Sequence, residues 1–505
     1  MFPRDPLPLL MPLVAVLVAL VPVTGQEPTM VGMKAVQEYV NHPDPAYDWN
    51  VVRKRQTQAG TAYVVELASQ RWRTQEEVNR TLWKHWLLVT KPETVAFDKA
   101  FLMIGGGSNN ESAPSGPSDT ALRLAAATKS VVAELKMVPN QPLIFHGDGI
   151  RRKEDDLIGY AWDRFLRSHD KTVQGDQSGS FERGSQLSPG AVKAGDVTWL
   201  PRLPMVKSAV RAMDCVEELM ASKAGGEVGI DGFVVAGGSK RGWTTWMTAV
   251  ADSRVEAIVP IVIDVLNIDP SMRHHAAAYG FWAEAIGDYV RHGITERWSD
   301  PAMDQLYAVV DPFRHRRHLS MPKFIVNACG DEFFCPDSSR FYFADLPGEK
   351  YLRYVPNAGH SLDGTDALES ITAFYLSLLK GQPRPRFAWS FEPDGAIRVE
   401  TEDRPRRVLL WQATNPNARD FRVTTIGRAF SSRELADQGG GVYVGEVASP
   451  KQGWTAYLVE LTYDLGGPVP LKLTTAVRVT PNTLPHAGID PSEVPSERRR
   501  SKRNR

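Results

Sequence analysis

Over residues 47–88 apolar and polar positions alternate, as in Thr61-Ala62-Tyr63-Val64-Val65-Glu66-Leu67, and residues 83–89 close that stretch with another such run. A period of two sends successive side chains to opposite faces, so the region predicts antiparallel strands joined by polar turns. After Phe97 the pattern changes to short apolar runs separated by amphipathic stretches. Ala100-Phe101-Leu102-Met103-Ile104 is a buried strand ending in Gly105-Gly106-Gly107-Ser108, and residues 121–137 follow with helical periodicity. Further strands are predicted at 141–145, 233–236, 257–263, 322–328 and 351–355. Helices are predicted at 155–167, 205–223, 337–344 and 366–379, with another from Trp243 onward. Strand and helix alternating in this way specify an α/β fold, a mostly parallel sheet covered by helices on both faces. Residues 265–320 break the rhythm with helical, aromatic and arginine-rich sequence and read as a helical lid.

Helical periodicity stops at Gly381-Gln382-Pro383-Arg384-Pro385, a Pro/Gly linker. Short strand candidates then recur at 396–400, 408–413, 421–425, 441–447, 456–462 and 471–479, the spacing of a small C-terminal β-sandwich. The chain thus divides into a core at 26–382, a β module at 383–481 and a basic tail at 482–505 expected to be disordered.

Residues 1–25 carry Arg4, then an apolar run, then Val23-Thr24-Gly25, the layout of a signal peptide, with an uncleaved membrane anchor as the alternative. Export follows, to the periplasm or beyond, with no stable membrane insertion after cleavage, because no later stretch has the apolar length of a spanning helix. Lys and Arg (59) balance Asp and Glu (59), which gives no reason to invoke nucleic acid. Three cysteines exclude a disulfide framework and leave Cys329 and Cys335 either bridged or free. No histidine or cysteine cluster has metal-site spacing, and no metal or other cofactor is expected.

Ser239 follows the strand 233–236 directly, between Gly237-Gly238 and Lys240-Arg241-Gly242. A nucleophile on a sharp strand-to-helix turn needs small neighbours, because the strained backbone brings flanking residues almost into contact. The usual pattern is Gly-x-Ser-x-Gly; here the second glycine arrives one position late. A hydroxyl needs an imidazole to take its proton and a carboxylate to orient that imidazole. Asp331 follows the strand 322–328 and His360 follows 351–355. The order serine, acid, histidine is that of an α/β-hydrolase. Asp264, at the end of 257–263, is the alternative acid. Asp331 read alone is a helix cap, and His360 read alone a loop hydrogen bond.

The oxyanion of an acyl-transfer intermediate needs preorganised donors. The N–H of Lys240 is one, and Gly106, Gly107 or Ser108 supplies the other; the triple glycine is otherwise a turn, and no P-loop lysine follows it. The cations of Lys240 and Arg241 would either receive an anionic substrate group or pair inside the fold. Ser108 and Arg241 are the candidate substrate contacts. The abundant tryptophans pack the core or stack on a ring of the substrate.

Gly237-Gly238-Ser239-Lys240-Arg241-Gly242-Trp243, Gly330-Asp331-Glu332-Phe333-Phe334 with Pro336-Asp337-Ser338, and Asn357-Ala358-Gly359-His360 together resemble the PhoPQ-activated pathogenicity-related protein family. So do Trp411-Gln412-Ala413-Thr414-Asn415, Ala418-Arg419-Asp420-Phe421-Arg422 and Gly453-Trp454-Thr455-Ala456-Tyr457. The resemblance spans about residues 32–480. It implies an exported α/β-hydrolase core with a C-terminal β module, and a triad of Ser239, Asp331 and His360. The elbow, by itself, is also similar to that of glucuronoyl esterases. The expectation is therefore a serine hydrolase acting on a small-molecule, glycan or peptide ester. A binding or signalling protein on the same fold and a peptidase are the alternatives.

Overall fold

A computed structural model describes residues 28–174 and 196–497. The expected signal peptide and the basic run at 498–505 lie outside the described residues. Helix α1 (Pro28–Asn41), which no sequence pattern had singled out, precedes three antiparallel strands, β1 (Asp48–Thr57), β2 (Gly60–Arg71) and β3 (Leu82–Lys91). The α/β part follows: β4 (Lys99–Ile104), α2 (Asp119–Thr128), β5 (Val132–Leu135), a small ribbon of β6 (Leu143–Ile144) and β7 (Arg151–Arg152), α3 (Glu154–Gln174) and α4 (Arg202–Ala221). It continues through β8 (Gly232–Gly238), α5 (Lys240–Ala251), β9 (Val255–Ile261), α6 (Ile268–Tyr279), α7 (Gly287–Arg291), α8 (Pro301–Val310), β10 (Lys323–Ala328), β11 (Lys350–Val355) and α9 (Ala367–Leu379).

The central sheet runs β1-β2-β3-β5-β4-β8-β9-β10-β11, and its strands from β5 to β11 are mutually parallel. Pleating divides β8 between two cores: Phe233 and Val235 pack on the face shared with α3 and α4, Val234 and Ala236 on the face shared with α2 and α9. Both faces are therefore dry, and the strands read as continuous apolar runs rather than alternating ones.

One predicted helix is overturned in part. The helix at 121–137 ends at Thr128, where Lys129 turns left-handed (φ 51°) and donates its N–H to Ala125. The Val131-Val132-Ala133-Glu134-Leu135 run then becomes β5, inserted between β3 and β4. A short apolar run has no period that separates buried strand from buried helix. Similarly, the helix expected at 337–344 is a single 3-10 turn, Ser338–Phe341.

The C-terminal region contains β12 (Phe387–Phe391), β13 (Ile397–Thr401), β14 (Arg407–Asn415), α10 (Val423–Ile426), β15 (Ser431–Glu434), β16 (Val442–Gly445), β17 (Trp454–Tyr463), β18 (Leu471–Thr474) and β19 (Arg478–Thr480). The strand expected at 421–425 is instead α10, and 471–479 holds two strands. These strands do not close a separate sandwich. β18 pairs antiparallel with β11 at Leu352↔Thr474, so the central sheet continues through β18-β17-β14-β15. Only β12-β13-β16 form a second sheet, whose Ile397 and Val399 pack with Leu410, Tyr457 and Val459 of the first. The tail expected to be disordered is packed as far as Glu497: Trp282 N–H donates to Pro495 O (2.8 Å) and Glu497 N–H to Trp282 O (2.9 Å).

Candidate active site

Parallel strands end on one edge of a sheet, and here β4, β8, β9, β10 and β11 deliver Gly105–Ser108, Ser239, Asp264, Asp331 and His360 to that edge. Ser239 has φ 57° and ψ −127°, a backbone costly for any residue with a Cβ. It is held there by its N–H to Ile261 O (2.8 Å) and by Trp243 N–H donating to its carbonyl (3.0 Å). The late glycine is explained by close approach. A Cβ on Gly242 would lie 2.8 Å from Gly237 O, and one on Gly237 would lie 2.7 Å from Arg241 O, whereas Gly238 has open space.

His360 Nδ1 lies 2.9 and 3.0 Å from the two carboxylate oxygens of Asp331. Asp331 is buried (3% exposed) and also accepts from Phe333 N–H at 2.8 Å, which fixes the carboxylate. Asp264 is elsewhere: Tyr342 and Tyr354 hydroxyls donate to its two oxygens at 2.6 Å each. Burial pushes its carboxyl up to about 8, against the lowering effect of those two donors. The acid bonded to the imidazole is thus Asp331 and not Asp264.

The imidazole's other nitrogen, Nε2, is buried with no hydrogen-bond partner among the described residues, so the serine–imidazole bond is not made in this structure. Phe333 and Phe334 border both halves of the site. Their rings pack on His360 with centroids 4.4 and 6.2 Å away, and both line the cavity that Ser239 lines.

The N–H groups of Lys240, Gly106 and Gly107 meet no internal acceptor among the described residues, as oxyanion donors require. Gly106 borders the elbow, since a Cβ there would lie 2.8 Å from Arg241 Nη2. Ser108 does not fill either expected role: its N–H donates to Glu111 Oε1 (2.7 Å), and it is absent from the cavity wall. Arg241 is engaged inside the fold. Its guanidinium binds Glu154 Oε1 (2.7 Å) and Val138 O (2.6 Å), while Lys240 Nζ binds Glu154 (2.9 Å) and Asp155 (3.0 Å). Burial would raise the Glu154 carboxyl, but the bond to Arg241 and the charges of Lys240 and Arg241 hold it down to about 2. Both cations beside the nucleophile are neutralised from inside the fold.

The cavity over Ser239 has a volume of about 80 Å³. Its walls come from α3 and α5 and, chiefly, from residues 268–307, including Ile286, Ile294, Trp298 and Met303. The tryptophans of this segment pack against one another, Trp282 and Trp298 with centroids 5.8 Å apart.

Sequence reasoning missed the residues that hold the acid and histidine loops. Glu332 Oε2 accepts His360 N–H (2.7 Å), Gly330 O accepts Val423 N–H (2.8 Å), and Asn357 exchanges two hydrogen bonds with the backbone of Phe430 (2.8 and 2.9 Å). Asp337 accepts from Arg419 (2.6 Å) and His274 (2.9 Å), all three buried, so two motif segments 82 residues apart are joined by an ion pair. Burial opposes ionisation of Asp337, but His274 and Arg419 hold its carboxyl far below the usual range. Cys335 Sγ lies near His274 and Asp337 at ligand-like separations, yet the guanidinium of Arg419 already supplies the positive charge there. Cys329 and Cys335 are free thiols, both pushed up by burial.

The sequence profile of the family described as PhoPQ-activated pathogenicity-related protein matches residues 36–176 and 191–422. A curated relative, autocrine proliferation repressor protein A of Dictyostelium discoideum, is 36% identical over 480 residues, covering 89% of this chain and 91% of that protein. Among solved structures, acetyl xylan esterase from Paenibacillus sp. R4 superposes with TM-score 0.45 at 14% identity, covering 70% of this chain and 96% of its own. A glucuronoyl esterase from Solibacter usitatus gives TM-score 0.34 at 14% identity, covering 67% and 87%. The profile and the curated relative span the elbow, the acid loop and the histidine loop alike, and the chain belongs to the PhoPQ-activated pathogenicity-related protein family.

Proposed function

We propose that the protein is an exported serine hydrolase that cleaves an ester, with an amide the poorer substrate, through Ser239, His360 and Asp331. His360 Nε2 takes the proton of Ser239 Oγ as the oxygen attacks the carbonyl carbon. The N–H groups of Lys240 and of Gly106 or Gly107 receive the oxyanion, and the leaving alcohol carries away the proton from His360. Water then repeats the sequence on the acyl-enzyme. The observation that carries this reading is the strained elbow at Ser239 on the same sheet edge as an imidazole that is oriented by Asp331 and whose buried Nε2 has no partner among the described residues. Apo sites commonly leave the catalytic hydrogen bond open until substrate binds. Residues 265–320 act in this reading as the lid that excludes water.

A second reading is a secreted signalling or binding protein that keeps the fold without turnover. The open serine–imidazole contact and the name of the 36%-identical relative, a proliferation repressor, favour it. Steady-state hydrolysis by the purified protein, compared with Ser239→Ala and His360→Ala, separates the two. A hydrolase loses turnover in both variants; a pure binder is indistinguishable from either.

A further inference from the structure

The cavity that borders Ser239 carries information on the substrate. Its polar wall is closed on itself: Lys240 is paired with Asp155, and Asp155 also accepts from the Tyr289 hydroxyl at 3.1 Å. Trp243 Nε1 is spent on Val310 O at 2.5 Å. Trp298 Nε1 and the Tyr307 hydroxyl have no partner among the described residues, and both atoms are sealed beneath neighbouring atoms. What remains facing a ligand is mainly carbon, from Trp162, Ile263, Ile286, Ile294, Trp298 and Met303. An anionic or strongly polar group entering here would lose its water and gain no counter-charge, because the two cations beside the nucleophile are already neutralised by Glu154 and Asp155.

Size narrows the class further. About 80 Å³ is roughly half the ~150 Å³ of an apolar cavity that takes up benzene. An aromatic ring or a long chain does not fit without displacing Trp298 or Met303, which are 7% and 2% exposed and belong to a packed wall. The enclosed side of the site suits the acyl group, since the alcohol must leave and water must enter from the other side.

We propose, resting on the hydrolase reading above, that this cavity takes the acyl group of the ester and that the group is short, unbranched or singly branched, and uncharged, on the scale of acetyl to butyryl. Aromatic acids and uronic acids are excluded, the first by volume and the second by volume and by ring hydroxyls that would lose their water against an apolar wall.

The test is a series of p-nitrophenyl esters (acetate, butyrate, octanoate, benzoate) and a methyl glucuronate ester with the full exported chain, alongside labelling by a short-chain fluorophosphonate. The expected kcat/KM is at least about tenfold higher for acetate and butyrate than for octanoate and benzoate, a range that a fitted apolar pocket provides. The glucuronate ester is not turned over above the Ser239→Ala background. Trp298→Ala opens the wall and moves the preference toward octanoate and benzoate by about tenfold; Met303→Ala serves the same purpose should the first variant fail to fold. Labelling of Ser239 combined with a flat chain-length profile, a preference for octanoate, benzoate or the glucuronate ester, or no turnover of any ester overturns the acyl-class assignment and leaves the nucleophile standing. Absence of labelling on folded protein removes the hydrolase reading and this inference with it.

Discussion

At Ser239 the backbone adopts φ 57° although the residue has a Cβ, and such a conformation costs on the order of 1–3 kcal/mol unless its surroundings enforce it. The surroundings do: Gly237 and Gly242 allow the chain to cross at contact distance, and Ile261 O anchors the serine N–H at 2.8 Å. The three glycine-spaced residues were legible in the sequence, and so was the serine, acid, histidine order. The choice between Asp264 and Asp331 was not, since both follow strands on the same edge; it is decided by which of them the Nδ1 of His360 reaches. Asp331→Asn should therefore lower kcat about 10⁴-fold by releasing the imidazole tautomer, while urea unfolding stays near wild type. Asp264 has a different signature. Its folded carboxyl lies at about 8 against an ordinary 3.8, so its contribution to stability is complete below pH 3.8 and is lost as pH rises toward 8. Asp264→Asn, which cannot ionise, should gain on wild type progressively between those limits, measured as the difference in urea midpoint across pH.

Among elements, the loops after β10 and β11 depend on a segment far away in sequence. Val423 at the start of α10 binds Gly330, and Phe430 just before β15 binds Asn357. Arg419, ahead of α10, binds Asp337 across the same junction. The motif Ala418-Arg419-Asp420-Phe421-Arg422 could be picked out in the chain, but its role could not, because a cation's partner 82 residues away leaves no local pattern. Arg419→Met leaves buried Asp337 with His274 and only the longer contact from Arg340 (3.5 Å), and should cost about 3–5 kcal/mol in denaturant unfolding. The same limit of local pattern explains β5: its residues form a core run whose type is fixed by the β3 and β4 backbones on either side, not by its own period.

For the whole molecule, the boundary expected near residue 383 is not a break in the sheet. The strand candidates after it were readable from turn spacing, whereas the pairing of β18 with β11 is a long-range choice that spacing cannot encode. The consequence is mechanical: the acid and histidine loops sit at a seam between the parallel strands and their C-terminal continuation. The tail completes the enclosure. Arg422 binds Glu497 at 2.9 Å, and Pro495 and Glu497 bracket Trp282, which stacks within the aromatic group that includes Trp298 of the cavity wall. Removing residues 482–505 should raise amide exchange at 282–298 while β8 to β11 keep their protection, as read by hydrogen-exchange mass spectrometry.

Hydrolysis at this site requires that the Ser239 hydroxyl be made nucleophilic by the imidazole of His360. Peptide mapping after brief exposure of the folded protein to a short-chain fluorophosphonate tests it most directly. A single adduct, on the peptide carrying Ser239 and lost in His360→Ala, is the expected result. An unmodified elbow peptide, or an adduct that forms equally well without His360, contradicts it.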